Sequence, residues 1–124
     1  MTLDEALARP AAADEIVTIT CHIVVRGNDE IILTASEESF YGEGQRIQVR
    51  NGEWIIKRMS SLPPLVGGSL RHFYACEITG RLRRNHGTPE FADVSRCVIR
   101  GEELDESFND VPFELIFNRN EPAP

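Results

Sequence analysis

Apolar and polar positions alternate with a period of two along most of this chain, the pattern of strands that bury one face. The alternation is clearest over residues 73–82, where Tyr74, Cys76, Ile78 and Leu82 take one side and Glu77, Thr79 and Arg81 the other. A connection over 83–90 carries Asn85, Gly87 and Pro89, which favour a turn and stop a helix. It leads into a second apolar segment, 91–100, so the centre of the chain predicts a hairpin or meander. Upstream, Val17, Ile19, Cys21, Ile23 and Val25 oppose Thr18, Thr20 and His22, predicting a strand over 16–25. Residues 26–30 supply a turn, with Gly27 and Asn28 suited to positive φ, and 31–35 return as a second strand. A third covers 45–50, with Ile47 and Val49 inward and Arg46 and Arg50 outward. Near the end, Val111, Phe113, Leu115 and Phe117 alternate with Pro112, Glu114 and Ile116. Pro112 restricts that strand to an edge or places it at a strand start.

The remaining segments break the alternation. Asn51-Gly52 reads either as a hairpin turn or as a helix start with Asn51 as N-cap and Glu53 in the first turn. Ile55, Met59 and Leu62 fall at i, i+4 and i+7, which favours a short helix over 52–61. Two prolines and two glycines then make 62–68 a loop. Thr2 and Glu5 have the spacing of a capping box, so residues 1–14 form either a helical turn docked on the barrel or an arm with a frayed terminus, the second preferred. Residues 101–107 read as an acidic linker or helical turn, and 121–124 as disordered. The expected division is an arm over 1–14, a β-barrel over 15–100 and an acidic C-terminal segment over 101–124.

The order strand, strand, strand, short helix, strand, strand resembles the OB-fold, a five-stranded barrel with its helix between the third and fourth strands. The resemblance covers residues 15–100 and rests on element order. It implies a mainly β chain, a five-stranded antiparallel OB-like barrel with one short helix, to which a C-terminal edge strand can be added. If Asn51-Gly52 is a hairpin turn instead, another small antiparallel barrel or a sandwich serves as well.

Size and charge narrow the function classes. One domain is the simplest organisation for 124 residues, 41% of them apolar. No apolar run reaches the roughly 18–20 residues of a membrane helix, and the acidic start lacks a secretory pattern. Cys21, Cys76 and Cys97 are odd in number and widely spaced, which argues for reduced thiols and a cytosolic protein. The net charge of −7 is unevenly distributed, with 71–100 at +3 and 101–124 at −6. Twelve of the 13 basic residues are arginine, a bias common in GC-rich bacterial coding.

Candidate chemistry is sparse. Cys21 and His22 are neighbours on a strand and leave opposite faces. His72 and Cys76, if extended, are about 13 Å apart. No metal or other cofactor is therefore expected. No nucleophile elbow or phosphate-cradling loop occurs, and the pairs Glu37-Glu38 and Glu102-Glu103 diverge, so no catalytic residues are assigned. Two binding readings remain. An OB-like barrel that holds single-stranded nucleic acid would use Arg81, Arg83 and Arg84 on the last hairpin with the aromatics Phe40, Tyr41 and Phe73. Net negative charge opposes this, because such binding comes mainly from phosphate neutralisation. The arginines would otherwise pair with the acidic C-terminal segment or with a protein. The preferred reading is a protein partner with a basic surface, met by Glu37, Glu38, Glu43, Glu102, Glu103, Asp105, Glu106 and Asp110. In charge and size alone the chain is similar to immunity proteins, which neutralise basic nuclease toxins. A small-ligand pocket inside the barrel is a third reading.

Overall fold

The computed structural model describes residues 1–9, 14–27, 29–35, 46–60, 62, 70–104 and 106–120. Its elements are α1 (Leu3–Leu7), β1 (Glu15–Arg26), β2 (Ile31–Thr34), β3 (Arg46–Val49), α2 (Glu53–Met59), β4 (Leu70–Asn85), β5 (Thr88–Leu104) and β6 (Asp110–Asn118). The strands form one sheet in the order β3-β2-β1-β4-β5-β6, and β3 also pairs with β5. Strands β1 to β5 therefore close into a barrel, OB-like in outline, and β6 is added outside the ring.

The barrel is mixed, which corrects the antiparallel expectation. All other pairs are antiparallel, but β3 meets β5 in parallel through Gln48↔Glu90 and Val49↔Phe91. The reason is parity. Around a closed ring of five strands, up and down cannot alternate throughout, so at least one neighbouring pair must run the same way.

The inward positions follow the predicted alternation. Ile19, Cys21, Ile23 and Val25 of β1 are buried with Ile31, Leu33, Ile47, Cys76, Ile78, Phe91 and Ile99. Such side chains each contribute about 1.5–3 kcal/mol through burial. Ile55, Met59 and Leu62 complete this core from the α2 side. The 53–59 segment is thus a helix, but Asn51 is not its cap. Asn51 takes a left-handed φ of 56°, and Gly52 stands at the cap without a side-chain hydrogen bond. A Cβ at Gly52 would stand 2.7 Å from the Ile31 side chain and 3.1 Å from that of Val49, so a capping side chain there would require both to shift.

The central strands are longer than predicted. β4 and β5 run through most of 83–90 and are joined by His86 and Gly87, with φ of 52° and 82°. Two consecutive positive φ values match the type I′ turn that suits the twist of a two-residue hairpin. The expected acidic linker at 101–107 is also shorter, because β5 continues to Leu104. In the turn after β1, Asp29 has positive φ (63°), while Asn28 lies outside the described residues.

Thr2 and Glu5 form the reciprocal capping box at the start of α1, and Leu3 and Ala6 are buried against the barrel. The Thr20 N–H donates to the Met1 carbonyl at 2.8 Å, which fixes this segment along β1. Among the described residues no helix is long and apolar enough to cross a membrane.

Candidate interaction surfaces

The hairpin arginines are all engaged within the chain. Arg81 lies beside a bulge, where the β4–β5 register shifts between Thr79 and Arg81 and Asp93 has φ of 50°. Its guanidinium meets Asp14 at 2.9 Å and Asp93 at 3.6 Å. Arg84 donates to the carbonyls of Leu7 (3.1 Å), Arg9 (3.4 Å) and Gly87 (3.0 Å). A cation at the end of α1 satisfies carbonyls that have no partner inside the helix. Arg83 meets Glu90 at 2.7 Å. Among the described residues none of these three is seen to pair with the acidic C-terminal segment, the alternative use expected of them; Arg100 meets that segment instead. Its guanidinium bridges Glu77 (2.9 Å) and Glu114 (3.0 Å) across three strands.

Glu90 was not singled out in the sequence, yet its carboxylate is buried and clasps the barrel seam. Arg83 binds one oxygen at 2.7 Å and Arg50 the other at 3.3 Å. Hydrogen bonding from Arg83, supplemented by Arg50, outweighs burial and holds the Glu90 carboxyl below the usual carboxylate range. The Arg50 N–H also donates to the Phe91 carbonyl at 2.8 Å, so charge and backbone close the ring at one place.

The face used by nucleic-acid-binding OB barrels is formed by the second and third strands. Here β2 is buried on both sides. Val24, Ile32 and Thr34, which alternation turns outward, are 0%, 5% and 0% exposed. Beside them is a groove of about 220 Å³ lined by Arg26, Glu30, Ile32, Arg46, Gln48 and the Thr88-Pro89 pair. Phe73 stacks on His22, with ring centroids 5.1 Å apart and planes 15° apart. Phe40 and Tyr41 lie outside the described residues.

The three thiols lie in the core, with Cys21 and Cys76 sulfurs 3.7 Å apart. Hydrogen bonding with Cys21, then with Cys97, and burial push the Cys76 thiol well above its ordinary range. It stays protonated at neutral pH and so lacks the thiolate that a nucleophile needs. Among the described residues no group of three or more His, Cys, Asp and Glu is arranged to hold a metal ion.

The acidic surface gathers around β6. Glu102, Glu106 and Asp110 are exposed there, and Glu103 pairs through its backbone with Val111. Glu37, Glu38, Glu43 and Asp105 lie outside the described residues. What the sequence did not single out is the exposed apolar surface along and just before β6. The large exposed apolar side chains of the described residues are Ile16, Phe108, Val111 and Ile116, at 67%, 84%, 45% and 45%. Three of the four lie on β6 or just before it. The alternation of β6 was visible in the sequence, but it could not show how little covers that strand.

Comparison with protein-family models, curated proteins and solved structures matched nothing to this chain.

Proposed function

We propose that this chain is a non-enzymatic, cytosolic interaction module of OB-like build that binds another protein through its acidic C-terminal surface. The partner presents a basic surface, as the targets of immunity- and inhibitor-type proteins do. The observation that carries this reading is β6. Phe108 and Val111 are exposed at or just before its start, where Glu102, Glu106 and Asp110 also lie, while Ile116 is exposed further along, opposite Val98. Exposed apolar side chains rimmed by one sign of charge mark interaction sites, with the charge steering encounter. The buried free thiols support a reducing compartment.

A second reading, single-stranded nucleic acid, has one observation in its favour. Arg26 and Arg46 share a groove with the Thr88-Pro89 side of the hairpin that carries Arg83 and Arg84. It is weaker because the outward positions of β2 are closed to solvent and each hairpin arginine has an acceptor within the chain. The small-ligand reading has no such support, since Ile19, Ile23, Ile47, Ile78 and Phe91 fill the interior.

Fluorescence anisotropy separates the two binding classes. A labelled peptide of alternating valine and arginine is expected to bind, and to lose affinity when Glu102, Glu106 and Asp110 are all changed to lysine. Labelled oligothymidylate and oligouridylate are expected not to bind. Oligonucleotide binding with a steep salt dependence, or peptide affinity unaffected by charge reversal, overturns the protein-partner reading.

A further inference from the structure

We infer that β6 accepts an extended segment of the partner as a seventh strand, and that this segment alternates apolar and basic residues. The inference rests on the protein-partner reading and adds the mode of binding. It begins with backbone parity. In an antiparallel ladder, successive residues point their N–H and C=O groups alternately toward and away from the neighbour. The Arg119 N–H donates to the Ser95 carbonyl at 2.9 Å, continuing the register Arg96↔Asn118 and Cys97↔Phe117. Odd residues of β6 therefore address β5, and Glu114 and Ile116 point their backbone groups away from the sheet. Pro112, which has no N–H, has this same outward parity and costs the β5 ladder no bond. β6 is last in the sheet order, and among the described residues no strand pairs with its outer side.

Side chains select the occupant. On the barrel side of β6, Phe113, Leu115 and Phe117 are partly buried against the core and Val111 is 45% exposed. On the other side are Asp110, Glu114 and Ile116, with Glu102 opposite Pro112. A strand laid along this edge finds an apolar row on one face; on the other it finds Asp110 and Glu102 near the start of β6, then Glu114 already paired with Arg100, then Ile116. Its own side chains must then alternate between apolar and basic. A second copy of this chain is the wrong occupant, because residues 101–124 carry a net −6 and pairing two β6 strands brings like charges together. Charged and proline-bearing edges guard against self-association in this way, while the same carboxylates attract a basic strand.

The test uses the full chain and two labelled peptides of alternating valine and arginine. They differ only in N-methylation of every second amide, on the edge that would face β6. Methylation removes the donors without changing charge or side chains. Expected is at least about tenfold weaker binding of the methylated peptide, a difference of about 1.4 kcal/mol. The variant Ile116→Pro, which removes an outward N–H, should weaken the unmethylated peptide to a similar degree while far-UV circular dichroism stays unchanged. If that variant fails to fold, the peptide pair still decides. Equal affinity of the two peptides overturns strand addition and leaves the acidic-surface reading standing. Absence of binding by both overturns the two together. A concentration-dependent dimer in sedimentation that Ile116→Pro abolishes also overturns the inference, because the occupant is then a second copy.

Discussion

The five-stranded ring and the strand added beside it are built from the same kind of sequence and end in different physical states. In the ring every strand has two neighbours, and Phe91, at the seam where β5 meets β3, is 0% exposed. In β6 the corresponding aromatics, Phe113 and Phe117, are only partly buried, and Val111 and Ile116 face solvent. Closure thus separates two roles. Ring strands use their backbone groups on each other and their apolar face on the core. β6 pairs along one edge with β5, packs Phe113, Leu115 and Phe117 partly against the core, and among the described residues has no strand on its other edge.

The sharpest way to break this contrast is to truncate one aromatic in each region. Phe91→Ala is expected to cost about 3–5 kcal/mol in urea unfolding, because a fully enclosed ring leaves a cavity. Phe113→Ala should cost about 1–2 kcal/mol, since its ring already meets solvent and packs edge-on against Tyr74 at 6.3 Å. Equal losses would mean that β6 is as integral to the fold as the seam.

A second test addresses how tightly the ring is closed. Gly80 lies under the β5 bulge, where an added Cβ would stand 2.8 Å from the Ala92 carbonyl oxygen and 3.1 Å from the Val94 Cα. These are backbone atoms and cannot swing aside, so Gly80→Ala should destabilise by about 1–3 kcal/mol. A neutral result would show that the bulge is looser than its packing implies. At Gly101 the atoms nearest to an added Cβ belong to the Phe113 ring, at 2.7 Å, and a partly exposed side chain can move.

The smallest expected effect belongs to the Glu90 clasp. Its carboxyl titrates lower in the folded chain than in the unfolded one, so its stabilisation is complete above the ordinary glutamate value of the unfolded chain. The stabilisation is then lost as pH falls through the lower folded value. Glu90→Gln should reduce stability at neutral pH by about 1 kcal/mol, because both arginines are half exposed and screened by solvent. It should also flatten the acid limb of the stability profile in chemical denaturation. An acid limb of unchanged slope would assign that pH dependence to other carboxylates.

Much of the ring was legible because alternation is a local signal. The period of two placed Ile19, Cys21 and Ile23 on one face of β1 whatever lay across from them. Ile55, Met59 and Leu62 likewise marked the buried side of α2 by spacing alone. The candidate sites were less legible. Arg81, Arg83 and Arg84 form one basic cluster in the sequence, but folding gives each an acceptor from a different place: Asp14 and Asp93, Glu90, and the end of α1. Those partners lie up to 77 residues away, as for Arg84 and Leu7, and local pattern carries no information over that span. Glu90 was not singled out, because its pairing at the seam depends on β3 bringing Arg50 there from 40 residues away.

By itself the sequence located most of the strand segments and the apolar side of each, and it favoured, over a hairpin turn, a short helix between β3 and β4. These follow from local stereochemistry and from the exclusion of apolar surface from water. Only the tertiary structure decided that β3 and β5 meet and that an odd ring forces them parallel, whereas the edge position of β6 was already indicated by Pro112. Those outcomes depend on which strand ends come together after the chain has bent through 16 and 17 residue strands, a global closure condition. Segments with the same alternation can satisfy that condition or fall outside it.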